Sequence, residues 1–83
     1  MNLNFNVNEQ IEDRIIKKIP DAQVMVTNSG GGHFSLSVVT AEFEGKSMLA
    51  KHKLVLSAIA PLMSGNNAPV HAIDNLATLL PTA

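Results

Sequence analysis

The chemistry open to this 83-residue chain depends on three histidines, because the sequence contains no cysteine. His33 follows three consecutive glycines, His52 lies between two lysines, and His71 stands in a Val-His-Ala triplet. A neutral imidazole is a common metal ligand, and a protonated one can join a basic patch. Without cysteine there is no disulfide framework and no thiol nucleophile, so a bound metal needs histidine, carboxylate or a partner's ligands. Judged by spacing alone, each histidine is more often a hydrogen-bonded or solvated structural residue than a ligand.

Catalysis by these residues is not predicted. Ser29, His71 and Asp74 could be combined into a Ser-His-Asp set, but neither a nucleophile elbow nor an oxyanion hole accompanies them. The sequence therefore predicts a protein that is not an enzyme and has no small-molecule substrate.

The spacing of apolar residues and turn formers predicts the elements that position the histidines. A helix capped by Asn8 and ended by Pro20 comes first, followed by a strand, a glycine turn and a second, half-buried strand. Two helical segments follow, with Pro61 kinking or ending the second, and a polar loop leads to a third strand. The predicted ranges are 23–28, 34–39 and 70–75 for strands, 47–51 and 52–63 for helices, and 76–80 for a short helical or irregular tail.

This order, α-β-β-α-α-β, predicts an α+β fold. The first two strands can form a hairpin, and the helical pair is long enough for a right-handed crossover that makes strand three parallel to strand two. The result is a three-stranded mixed sheet with helices on one face. We expect a flexible leader over residues 1–7 and a single domain over residues 8–80. The predicted core is Ile11, Ile15, Ile19, Val24, Leu36, Val38, Leu54, Ala58, Ile59 and Leu62.

The segment from His33 to Val55, preceded by the glycine turn, resembles the signature of the BolA family, and Val70-His71-Ala72 resembles that family's C-terminal histidine motif. The resemblance covers about Ile11 to Ile73 and implies the BolA fold, which is similar to the type II KH fold. It ends before the tail, where LLPTA stands in place of the family's threonine-proline-acidic-Trp pattern.

The resemblance implies an adaptor in iron–sulfur cluster trafficking that binds a monothiol glutaredoxin. His71 would ligate a [2Fe–2S] cluster shared with that partner, which supplies cysteine and glutathione; no cofactor is expected in the isolated chain. A second ligand in the family comes from the loop between the first two strands. Many relatives have a cysteine about where Gly30 stands, so His33 is the remaining candidate. Imidazole can replace thiolate on one iron of such a cluster.

A second hypothesis is a transcription regulator that binds DNA or RNA. Lys51-His52-Lys53 matches the family's basic-His-basic helix start. Together with Lys46 it would form a nucleic-acid-facing patch, and the segment resembles a helix-turn-helix. The net charge of −1, the absence of Trp and Tyr, and the missing Gly-x-x-Gly weigh against this hypothesis. We expect weak, non-specific DNA binding at most. The sequence has no recognisable signal peptide or membrane-length apolar run, which predicts a cytoplasmic protein without a membrane partner.

Overall fold

The computed structural model describes residues 6–82, which form two α-helices and a three-stranded sheet. The strands lie in the order β1-β2-β3, with β1 antiparallel and β3 parallel to the central strand β2. The predicted α+β class and the mixed sheet are therefore confirmed. No helix within this part of the chain is long and apolar enough to cross a membrane. The elements are α1 (Val7–Lys18), β1 (Gln23–Gly30), β2 (His33–Val39), α2 (Met48–Ile59) and β3 (Ala72–Leu79), with 3-10 turns at Ala41–Phe43 and Ala60–Leu62.

Helix α1 begins earlier than predicted, because Asn6 rather than Asn8 is its N-cap. The Asn6 side chain accepts a hydrogen bond from the Glu9 amide at 2.8 Å, and the Glu9 carboxylate accepts one from the Asn6 amide at 3.3 Å. This reciprocal capping box satisfies two amides that would otherwise lack partners. Asn6 thus caps the helix and Val7 is its first residue, whereas residues 1–5 of the predicted leader lie outside the described residues.

The two helices predicted between β2 and β3 are a single α-helix, so the α-α part of the predicted order was wrong. Ser47 caps α2 by accepting a hydrogen bond from the Ala50 amide, and the Lys51 amide donates to the Ser47 carbonyl at 3.0 Å. Nothing between Lys51 and His52 interrupts the backbone ladder, so the helix continues to Ile59. Pro61 lies in the 3-10 turn that follows, as expected for a residue that ends a helix.

Strand β3 is longer and lies further along the chain than predicted. It spans Ala72–Leu79, so the predicted helical or irregular tail at 76–80 was wrong. Leu76 and Thr78 pair with Leu36 and Val38 of β2, and the parallel pairing holds this segment in extended form. The tail was ambiguous in sequence because its pairing partner lies about 40 residues away, a distance that local propensity does not report.

The core lies between the two helices and one face of the sheet. All of the predicted core residues are buried except Val24 and Leu54, which pack against the core in partly buried positions. Phe34, Phe43, Val55 and Val70 are buried in addition. On the opposite face of the sheet, residues 6–82 place no helix. The alternation along β2 leaves His33 exposed while Phe34 is buried.

The junction after β2 is held by one carboxylate. The buried Thr40 hydroxyl donates to Asp21 Oδ1 at 2.6 Å, and the Ala41 amide donates to Asp21 Oδ2 at 3.2 Å. These two hydrogen bonds, that of Thr40 first, hold the pKa of Asp21 below its ordinary value of 3.8. Strand β2 consequently ends at Val39, the predicted last residue of this strand.

Candidate functional site

The glycine turn between β1 and β2 forms one end of the sheet. Gly30, Gly31 and Gly32 have φ values of 94°, 64° and 81°, a backbone region that residues with a side chain rarely adopt. The Asn28 side chain braces the turn by accepting a hydrogen bond from the Gly30 amide at 2.8 Å. The turn predicted from the sequence is confirmed, and the start of β3 reaches the same end of the sheet.

His71 lies directly against this turn. Its backbone amide donates to the Gly32 carbonyl at 2.8 Å, and the Ala72 amide donates to the same oxygen at 3.1 Å. A Cβ atom on Gly32 would lie 3.0 Å from His71 Cγ and would overlap Cδ2. Only glycine at position 32 therefore leaves room for the His71 ring, which is exposed to solvent.

The buried residue Val70, directly before His71, anchors the segment to the core. Val70 is 1% exposed, and its amide donates to the Leu62 carbonyl at 3.1 Å. Val70 thus ties the segment to the turn that follows α2, while His71 is tied to the glycine turn. The Val-His-Ala motif consists of a core residue, an exposed imidazole and the first residue of β3.

His33 is the first residue of β2 and lies beside the same turn. It pairs with Ala72 in the parallel register, so His33 and His71 flank one end of the sheet. The His33 ring nitrogen Nδ1 lies 3.0 Å from Asp74 Oδ1, and the two side chains are 50% and 43% exposed. An ionised carboxylate only accepts hydrogen bonds, so a neutral His33 donates through Nδ1–H and keeps the Nε2 lone pair free.

The sequence did not reveal this role of Asp74. Asp74 was considered only as a member of a Ser29–His71–Asp74 set, but its carboxylate contacts His33. The contact depends on where β3 aligns with β2, and no local pattern reports that alignment. The signal that could have found it is the alternating pattern of β2, which places His33 on the uncovered face.

The donor set at this end of the sheet is incomplete for a metal. Within residues 6–82, no group of three or more histidine, cysteine or acidic side chains is arranged to hold a metal ion. His33 and His71 are exposed imidazoles that could supply two nitrogen ligands, which suits one iron of a mixed-ligand [2Fe–2S] cluster. The residues present therefore fit half of such a site, and the other ligands would have to come from a partner.

The basic residues predicted to bind nucleic acid, Lys46, Lys51, His52 and Lys53, do not all face the same direction. Lys46 Nζ donates to the Glu42 carbonyl at 2.8 Å, so its ammonium group is already engaged at the surface. Lys51 and Lys53 are two residues apart on α2 and point about 200° apart around the helix. His52 lies between them, and its Nε2 atom is buried without a hydrogen-bond partner in the described part of the chain. These four predicted residues do not form one outward-facing patch.

The fold and the histidine pair define a small α+β domain with exposed imidazoles at one end of its sheet. The family model described as BolA-like protein matches residues 7–79, so the chain belongs to the BolA family.

Individual relatives agree with that membership. An uncharacterised protein of Rickettsia prowazekii is 29% identical over 68 residues, covering 80% of this chain and 84% of that protein. Human BolA-like protein 1 is 46% identical over 41 residues, which is 49% of this chain but only 28% of the human protein. The activity of such a longer protein does not transfer by that match alone.

Solved structures share the fold. The solution structure of mouse BolA1 superimposes with a TM-score of 0.73 at 28% identity, covering 98% of this chain and 70% of that chain. The BolA domain of Arabidopsis thaliana SufE1 has a TM-score of 0.77 at 20% identity, covering 95% of this chain and 96% of that chain. At such low identity the second likeness concerns the fold alone.

Proposed function

We propose that this chain is a non-catalytic adaptor that binds a monothiol glutaredoxin in the cytoplasm and shares a [2Fe–2S] cluster with it as cargo. The observation that carries the proposal is the placement of His71 and His33 next to the same glycine turn. Family membership supports the same assignment, because the resemblance of these motifs to the BolA pattern implies a histidine-ligated shared cluster.

In the proposed complex the imidazoles of His33 and His71 would ligate one iron, and the partner would ligate the other. His71 is held through its backbone by Gly32, and His33 keeps Nε2 free through its bond to Asp74. The partner's cysteine and its glutathione would supply sulfur. The cluster, when bound, bridges the two proteins, so its loss should separate them.

This chain has glycine, not cysteine, at the ligand position of the loop between β1 and β2. Gly30, which stands about where many relatives have that cysteine, is exposed and has open space where a Cβ would lie. In the proposed complex the imidazole of His33, three residues later at the start of β2, takes the place of that thiol as a ligand. We expect a cluster with more nitrogen ligation than one held by a relative with the cysteine, and consequently a higher reduction potential.

The test mixes the cluster-loaded glutaredoxin homodimer with the purified chain and follows visible circular dichroism. Wild type should convert the homodimer spectrum into that of a histidine-ligated heterocomplex. His71→Ala should impair this conversion most and His33→Ala less. The backbone at His71 is fixed to the turn by hydrogen bonds from the His71 and Ala72 amides to the Gly32 carbonyl, whereas the His33 ring is held by one exposed contact.

His52→Leu is the matched control, since it removes the third histidine without touching the glycine turn. It should convert the spectrum as wild type does. If His71→Ala also converts the spectrum as completely as wild type, His71 is not a ligand and the proposed mechanism is wrong.

A further inference from the structure

Strand β3 contains one residue more than β2 needs, and that residue is Asp74. Ile73 pairs with Phe34 and Asn75 pairs with Ser35, so Asp74 has no pairing partner and the register shifts by one. An extra residue in a strand locally bends the ladder and redirects a side chain, and such irregularities occur next to functional sites.

The shift brings two consecutive polar residues of β3 to the uncovered face of the sheet. Asp74 contacts His33, and Asn75 Nδ2 donates to Ser35 Oγ at 3.2 Å. In a regular strand, neighbouring residues would point to opposite faces, and only one of the two could do so. The extra residue therefore allows an acidic side chain to reach His33 without disturbing the pairing of the following residues.

The contact also determines which nitrogen of His33 is available. A carboxylate that accepts from Nδ1–H fixes the ring orientation and leaves Nε2 as the only lone-pair donor of the neutral ring. Histidine ligands of metals commonly have such a partner on the other nitrogen, and it raises their basicity. His71 is oriented differently, by its fit against Gly32.

We propose that Asp74 is a positioning residue that holds His33 in the Nδ1–H tautomer with Nε2 directed to a metal. That Nε2 of His33 binds a metal rests on the proposed function. That Asp74 fixes the His33 tautomer is a property of the isolated chain and can be tested without a metal. Because both side chains are about half exposed, the pair should contribute little to folding, and Asp74 variants should remain folded.

The first experiment reads the tautomer in the metal-free chain. Long-range ¹H–¹⁵N correlation spectra, recorded at a pH where imidazole is neutral, distinguish Nδ1–H from Nε2–H in each histidine. Wild-type His33 should be the Nδ1–H form, and Asp74→Ala should shift it to the Nε2–H form that free histidine prefers. Asn75→Ala is the matched control, because Asn75 contacts Ser35 rather than His33, and it should leave the tautomer unchanged. An unchanged His33 tautomer in Asp74→Ala would overturn the proposal.

The second experiment measures the apparent affinity of each variant for the cluster-loaded glutaredoxin homodimer by visible circular dichroism. Asp74→Ala should weaken it by about 10-fold, the lower end for a group that orients a metal ligand. The loss should disappear in a His33→Ala background, because Asp74 acts only through His33. A loss of equal size in that background would overturn the proposed role. If wild type itself forms no heterocomplex, the proposed function fails, while the tautomer experiment still decides whether Asp74 positions His33.

Discussion

Two histidine-bearing regions of this molecule are built in opposite ways. At the glycine turn, His33 and His71 come from distant parts of the chain and are placed by strand pairing and by backbone hydrogen bonds to Gly32. At the start of α2, His52 comes with its basic neighbours in one continuous stretch. Both rings at the turn are exposed, whereas Nε2 of His52 is buried.

This contrast shows that a compact motif in sequence need not be a compact site. Lys51-His52-Lys53 looks concentrated, but a helix distributes three successive side chains around its circumference. His33 and His71 look unrelated, but β2 and β3 are parallel neighbours whose first residues meet. Variants of the two regions can show whether the glycine turn binds the partner and whether the basic segment of α2 only supports the fold.

The largest effect is expected from Gly32→Ala. The new methyl group would overlap the His71 ring and displace it, so the affinity for cluster-loaded glutaredoxin should fall by about 10- to 100-fold. Gly31→Ala is the matched control, because it has the same kind of positive-φ backbone but only an ordinary contact, 3.8 Å from His33 Cδ2. Both variants carry a backbone cost of about 1–2 kcal/mol, and Gly32→Ala adds the overlap with His71. Thermal unfolding of each variant is therefore recorded, and the affinities are compared at a temperature where both are folded. Equal affinities for the two variants would remove the special role of Gly32 and of the ring packed on it.

Much of the fold could be predicted from the sequence because it depends on local periodicity. The alternation along β2 and the isoleucines of α1 at helical spacing identified the buried faces correctly. The exceptions were decided by contacts that local patterns do not contain. Residues 76–79 join the sheet because β2 pairs with them. The Asn6 cap is different, since Asn followed three residues later by Glu9 is a local capping-box signal that could have placed the start of α1 correctly.

The candidate site was predictable only in part, for the same reason. The alternating pattern of β2 is enough to place His33 on the exposed face. Its proximity to His71 and the contact with Asp74 depend on the register between β2 and β3, including a one-residue shift that no sequence rule reports. The inward position of His52 could have been predicted, because it precedes the buried Val55 by three residues and Ile59 by seven. That its Nε2 atom has no hydrogen-bond partner among the described residues depends on the packing around it, which the sequence does not report.

A smaller effect should come from His52→Leu and would sharpen the structural interpretation of the helix start. A buried polar atom without a partner destabilises the native state, and replacing it by an apolar group of similar size is nearly neutral or stabilising. The free energy of unfolding, measured by urea titration, should change by less than about 1 kcal/mol or increase. His33→Leu, at an exposed position, provides the comparison and should also be close to neutral. A loss of more than about 2 kcal/mol in His52→Leu would mean that this ring makes a favourable polar contact.

The smallest effect is expected from Lys51→Glu combined with Lys53→Glu. These lysines point to different sides of α2, so a nucleic-acid backbone could engage at most one of them closely. If any duplex-DNA binding is measured, the single phosphate contact would account for a change of only about 1 in the slope of log affinity against log salt. Arg14→Glu with Lys18→Glu changes the net charge equally on α1 and serves as the control. We expect both double variants to reduce retention on a DNA column to the same small extent, and neither to affect the glutaredoxin complex. Loss of DNA binding in the α2 variant alone would show that the basic segment of α2 is a nucleic-acid-binding site. The glycine turn and the basic segment would then both be binding regions, each for a different partner.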